Sequence, residues 1–224
     1  MIQAIRIHLN DGDTMNWDFS FSDHGTMRLT NVYVQGGIPE WIKLENFQCP
    51  ACTLDPQENP TCPVAEVMAK YAFDLADRKS FEMVDVEIFQ TDGTSFTLHE
   101  IPLQRVVGEL VRLGAFQYEC PVGRKVKEPM TGLPPFPNNE EIIDAFTRAF
   151  AEHAANGELE ADEMELLEQL HDLFGNLSIR LDQIGRGDAH LNGVVILHSL
   201  SVLFSLSAPE LVHKFIEQEK RHKS

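Results

Sequence analysis

Positive charge is scarce in this chain of 224 residues: 18 lysines and arginines stand against 35 aspartates and glutamates, a formal net charge of −17. The shortage is even, with 11 basic against 19 acidic residues over 1–135 and 7 against 16 over 136–224. Such a surface repels phosphate backbones and anionic headgroups, so neither nucleic acid nor a membrane is an expected partner. What the charge does supply is solubility. Long hydrophobic runs are missing too. The longest, Leu191 to Leu206, is too short to span a bilayer and contains Asn192 and His198, so it reads as a buried helix. At the N-terminus, Met1-Ile2-Gln3-Ala4-Ile5-Arg6 offers no basic stretch ahead of an apolar one, and the expected location is the cytoplasm. Also lacking are a glycine-rich phosphate loop, a Gly-x-Ser-x-Gly elbow and a His-Glu-x-x-His helix. Asp11-Gly12-Asp13 is a turn before it is a carboxylate pair. With no acid–base constellation in sight, the expectation leans away from an enzyme.

What is present is ordinary globular material, 43% hydrophobic and 24% charged. Ile2 to Leu9 alternates, Asp11-Gly12 supplies a hairpin turn, and Thr14 to Phe21 returns with Trp17, Phe19 and Phe21 on one face. Leu29 to Val34 and Trp41 to Phe47 are further strand candidates. Pro63 opens a helix whose apolar positions Val64, Val67, Met68, Tyr71 and Leu75 fall at helical spacing to about Ala76. Phe81 to Phe89 alternates with one slip of phase. Asp92-Gly93 turns the chain into a strand from Ser95 to Ile101, and Leu103 to Phe116 reads as a helix. From Cys120 to Asn138, five prolines exclude regular structure, and a boundary is expected there. Beyond it Asn139 can cap a helix over Glu140 to Ala155, ended by Asn156-Gly157. A second stripe runs through Met164, Leu167, Leu170, His171 and Phe174. Asp188 caps a third helix, and Ser207 with Pro209 opens a fourth. The predicted architecture is α+β: residues 1–135 form a small antiparallel sheet with two helices and a metal site, and residues 136–224 form a helical bundle.

All four cysteines belong to one pattern: Cys49-Pro50-Ala51-Cys52, then Cys62-Pro63, then Cys120-Pro121. A C-x2-C pair puts two thiolates on one knuckle, and zinc takes four soft ligands at tetrahedral corners. The polar stretch from Thr53 to Thr61 packs poorly by itself, so a metal clip would order it. The predicted ligands are therefore Cys49, Cys52, Cys62 and Cys120, around structural zinc with no open position for water. An iron–sulfur cluster takes the same donors and is the alternative. A thioredoxin-like redox pair needs a helix running on from the second cysteine, which Leu54-Asp55-Pro56 interrupts. Four unrelated buried thiols would leave the C-x2-C pair and the three Cys-Pro steps without a reason.

These segments resemble an uncharacterised bacterial family, a domain of unknown function. The matching parts are Phe47-Gln48-Cys49-Pro50-Ala51-Cys52-Thr53-Leu54, Cys62-Pro63-Val64-Ala65 and Cys120-Pro121. Pro129-Met130 with Leu133-Pro134-Pro135-Phe136, and Gly187-Asp188-Ala189-His190-Leu191-Asn192, complete the series in the same order. Thr53 stands where the family usually has proline, and Tyr118-Glu119 where it usually has Ser-Gly. An arginine and a histidine expected around the Pro-Met and Leu-Pro-Phe segments are absent. The resemblance implies a shared fold and metal site, and no activity.

Weaker patterns add little. Glu152 to Glu163 has the outline of a calcium loop, but Ala154 offers no ligand oxygen at the third position, so it reads as a helix stop. His190 and His198 are eight apart, not the four that would pair them on a helix, and His171 reads as a core or interface histidine. Val194 to Leu206 is apolar almost throughout, more than a small bundle easily encloses. A homodimer or a protein partner is therefore expected. The function expected is that of a non-catalytic, zinc-stapled interaction or regulatory module.

Overall fold

The computed structural model describes residues 1–21, 27–29, 37–74, 77–116, 119–127, 130, 132–155 and 161–184, with single positions 192, 195, 199 and 221. The expected strand over 30–34, the stop at Asn156-Gly157 with the middle of the calcium-loop outline, and the helices from Asp188 onward lie outside the described residues.

Alternation builds the first hairpin. Strands β1 (Ile2–His8) and β2 (Thr14–Phe21) bury Ile5, Ile7, Met15, Trp17 and Phe19 and leave Arg6, Asn16 and Asp18 outward. Gly12, at φ +91°, takes the left-handed turn that Asp-Gly promised. A register irregularity between Ile2 and Ala4 lets Ile2 face the core as well. Strands β4 (Met83–Gln90) and β5 (Ser95–Pro102) form the second hairpin, with Gly93 at φ +85°. Only Val84, Val86 and Ile88 of β4 face inward; Phe81 and Met83 are exposed, which resolves the slip of phase. With the short β3 (Met27–Leu29), the antiparallel sheet runs β3-β2-β1-β4-β5. Trp17 and Ile5, then Ile5 and Ile88, then Ile88 and Phe96 lie opposite one another, giving a continuous apolar row across four strands. Each large side chain buried there contributes about 1.5–3 kcal/mol, so a slip of one residue is strongly disfavoured.

Helices α1 (Pro63–Asp74) and α2 (Leu103–Phe116) pack against this sheet. The Trp17 indole N–H donates to the Val67 carbonyl at 3.3 Å, pinning β2 to α1. Gly114 lets the helices close: a Cβ there would meet Val67 at 3.3 Å and the Val64 Cα at 3.4 Å. Helix α3 (Asn139–Ala155) is capped one residue earlier than expected. The Asn138 side chain accepts the Glu141 N–H at 2.9 Å, and the Glu141 carboxylate accepts the Asn138 N–H at 2.7 Å. Helix α4 (Ala161–Asp182) buries Leu167, Leu170, Leu173, Phe174, Leu177 and Leu181. Of the core or interface place expected for His171, the core is excluded, since its side chain is exposed. Phe116 meets Phe146 and Phe174 edge-on, each at 6.2 Å between ring centroids, so one buried cluster runs from the sheet through α2 into both later helices. No helix among the described residues is long and apolar enough to cross a membrane.

Candidate metal centre

The path into the first cysteine pair is not the strand that its apolar residues suggested. Trp41 to Phe47 forms turns and a 3-10 helix over Leu44–Asn46, with one isolated bridge from Lys43 to Thr61. Its carbonyls point at a guanidinium instead of a neighbouring strand. Arg180, in the last turn of α4 and only 2% exposed, donates to the carbonyls of Trp41 (2.7 Å), Lys43 (2.8 Å), Leu44 (3.4 Å) and Phe47 (2.7 Å). Its guanidinium carbon also sits 5.3 Å from the centre of the Phe47 ring. Among the described residues no carboxylate pairs with it.

The cysteine pair follows directly. The Cys52 N–H donates to the Cys49 carbonyl at 2.9 Å, closing the knuckle. The Gln48 amide donates to the carbonyls of Cys52 and Leu54 at 3.1 and 2.8 Å. The stretch between Cys52 and Cys62, expected to pack poorly, carries its own order. Asp55 accepts the Gln57 N–H on its carboxylate at 2.9 Å, and the N–H groups of Glu58 and Asn59 on its carbonyl at 3.1 and 2.8 Å. Leu44 N–H to Pro60 carbonyl (3.0 Å) and Cys62 N–H to Ile42 carbonyl (2.8 Å) then lay Cys62 beside the segment that Arg180 holds.

Cys62 and Cys120 occupy matching positions. Each precedes Pro-Val, and each carbonyl accepts an N–H four residues on, from Glu66 and Arg124, both at 3.0 Å. The backbone N–H groups of Ala65 and Val64 favour the charged form of the Cys62 thiol, and those of Gly123 and Val122 that of the Cys120 thiol. Proline at the first position removes the one N–H that would have no use there. The region from Cys120 to Asn138 is thus not wholly irregular, since Gly123–Val126 forms a 3-10 helix. Gly123 seats that turn on the end of α2. A Cβ on it would lie 1.7 Å from the Ala115 carbonyl oxygen, a contact only glycine avoids.

None of the four cysteines is in a disulfide; Cys62 and Cys120 are buried, and Cys49 and Cys52 are half-buried at the edge of the core. Burial pushes the Cys49 thiol up to about 12, reinforced by Cys62, Cys120 and Cys52 and opposed by Arg180. Cys62 is raised by burial, against Arg180 and the two N–H groups, with Cys52 adding to the rise. Burial also takes Cys120 to about 12, against its own N–H donors, with Cys62 and Cys52 adding to it. Each sulfur therefore lies within electrostatic reach of the other three. They are neighbours and not yet a closed ligand set: among the described residues no three or more His, Cys, Asp or Glu side chains converge as a group that could hold a metal ion. The donor chemistry suits a thiophilic ion. Two of the thiols are half-buried and two are buried.

Arg180 is the residue that sequence reasoning missed. Its one signal was its place between Leu177 and Leu181 on a buried stripe, where a cation needs a reason to be.

The family model described as Domain of unknown function (DUF6901) matches residues 4–220 of this chain. No curated protein and no solved structure matches it.

Proposed function

The chain belongs to that family of unknown function, and we propose that it is a non-catalytic, metal-stapled interaction module. In this reading Cys49, Cys52, Cys62 and Cys120 hold one structural zinc ion as thiolates. The helical half, residues 136–224, mediates self-association or binds a regulatory protein partner in the cytoplasm. The observation that supports the reading is that every cysteine of the chain, from three separate stretches, lies in or against one core cluster and within electrostatic reach of the others. Held by these four thiolates, a zinc ion would cross-link the three stretches and leave no open position for hydrolysis.

The chain's own residues do the rest. The N–H groups of Val64, Ala65, Val122 and Gly123 stabilise negative charge on the Cys62 and Cys120 sulfurs. Gln48 fixes the knuckle that presents Cys49 and Cys52. Arg180 sets a buried positive charge beside sulfurs that carry a net negative charge once they hold a divalent ion. The test is metal analysis of the purified protein together with its absorption spectrum. About one zinc per colourless chain is the expected result. A brown protein containing iron and sulfide would replace zinc with a cluster on the same ligands. Metal-free protein from metal-replete cells overturns the centre altogether. Cys62→Ser and Cys120→Ser are each expected to lose the metal and to melt earlier; full retention of metal by both counts against a shared site.

A further inference from the structure

Away from the cysteines, one face of α2 opens a cleft of about 280 Å³ against the start of α3, lined by Gln104, Arg105, Gly108, Glu109, Phe136 and Ile142 among others. We propose that this cleft is a binding site for a small organic monocarboxylate, with the Arg105 guanidinium as its anchor.

The spacing of the lining residues comes from the helix. Positions 105, 108, 109 and 112 share one face, and Gly108, a residue that weakens a helix interior, leaves a gap in the middle of it. At the floor lies a charged pair that is almost wholly buried, Glu109 at 3% and Arg112 at 2% exposure. Arg112 donates through Nε to Oε2 at 2.8 Å and through Nη2 to Oε1 at 2.6 Å, and its Nη1 reaches the Met130 carbonyl at 2.8 Å. These two charges cancel. What remains is Arg105 at the rim, which spends Nη2 on the Phe136 carbonyl at 3.0 Å and, among the described residues, pairs with no carboxylate.

The wall is held in a conformation that the residue itself disfavours. Phe136 sits at φ +57°, in the left-handed region that bulky side chains avoid. Strain of that kind persists where surrounding structure enforces it, and it gathers at ligand sites. The opening turn of α3 adds its positive end at the mouth, where Asn139 lines the cleft and Glu140 does not.

This inventory selects a ligand class. A single guanidinium with no paired carboxylate among the described residues suits a single negative charge and offers a planar fork for a carboxylate. With Glu109 and Arg112 cancelling, the lining offers no second unpaired cation to hold a dianion such as phosphate. Phe136, Pro137 and Ile142 receive a short hydrocarbon body, and the volume limits its size.

The test is titration of the full chain with butyrate, its neutral isostere butyramide, and inorganic phosphate, followed by amide chemical shifts. Butyrate is expected to shift Gly108 and Ile142 and to bind at least about tenfold tighter than either of the others. Arg105→Gln is expected to lower butyrate affinity about tenfold or more. Should that variant fold poorly, Asn139→Asp serves instead: an acidic residue suits the first turn of a helix, yet it repels a carboxylate in the cleft. Equal binding of butyrate and butyramide, tighter binding of phosphate, undiminished affinity in the folded variants, or no shift at any cleft amide would each overturn the proposal.

Discussion

Among the described residues, two buried guanidinium groups have their N–H groups satisfied in different ways. Arg112 finds its carboxylate one turn away, on Glu109 of the same helix, so its charge is met by a local partner. Arg180 binds four backbone carbonyls 133 to 139 residues away in sequence and, among the described residues, has no carboxylate. Carbonyl dipoles can satisfy its N–H groups, but they carry no net charge to set against its own. Both side chains are 2% exposed, so burial alone does not separate them. The difference teaches where a counter-charge is still wanted: beside Arg180, within whose electrostatic reach lie the thiols of Cys49 and Cys62.

Removing each guanidinium makes the comparison quantitative. Arg180→Met is expected to cost the metal-loaded protein about 3–5 kcal/mol in urea unfolding, the range for breaking a buried charged arrangement. After metal removal the cost is expected to shrink, because protonated thiols need no counter-charge. An equal cost in both states would reduce Arg180 to a clamp on the segment 41–47. Arg112→Met is expected to cost about 3 kcal/mol by stranding Glu109, and adding Glu109→Leu is expected to restore most of it. Failure of the second substitution to rescue would show that the pair is not self-contained. The smallest effect belongs to exposed charges. Asp85 is held below its ordinary value of 3.8 by the His99 side chain and the Glu100 N–H, and Asp11 is lowered by Arg78. A depressed carboxylate adds stability that is fully present above that ordinary value and is lost as pH falls through the lower, folded one. Thermal melts below pH 4 are expected to show Asp85→Asn losing slightly less stability on acidification than the parent chain.

Much of the sheet was legible beforehand because alternation and Asp-Gly turns are local signals. Gly12 and Gly93 take the positive φ their sequences call for, and α2 has the expected limits, Leu103 to Phe116. The errors lie where a distant group decides. Trp41 to Phe47 looks like a strand because its side chains are apolar, but side chains do not reveal that its carbonyls face Arg180. His171 falls among leucines in sequence and outside their stripe in space. Of the proposed centre, the four cysteines stand out by their Cys-Pro spacing, and all four pack in or against one core cluster, though among the described residues they do not converge as a metal-binding group. The N–H groups at the Cys62 and Cys120 sulfurs, and the buried arginine beside them, were not legible in sequence.

Gly123 lies so close to the Ala115 carbonyl that the backbone there has no slack. The last cysteine is thereby moored to the scaffold by main-chain contact, whatever the centre holds, and Cys62 is moored likewise at the head of α1. In the proposed centre the Cys62 and Cys120 side would thus be fixed by the backbone, and the Cys49–Cys52 knuckle, held by Gln48, would complete the set.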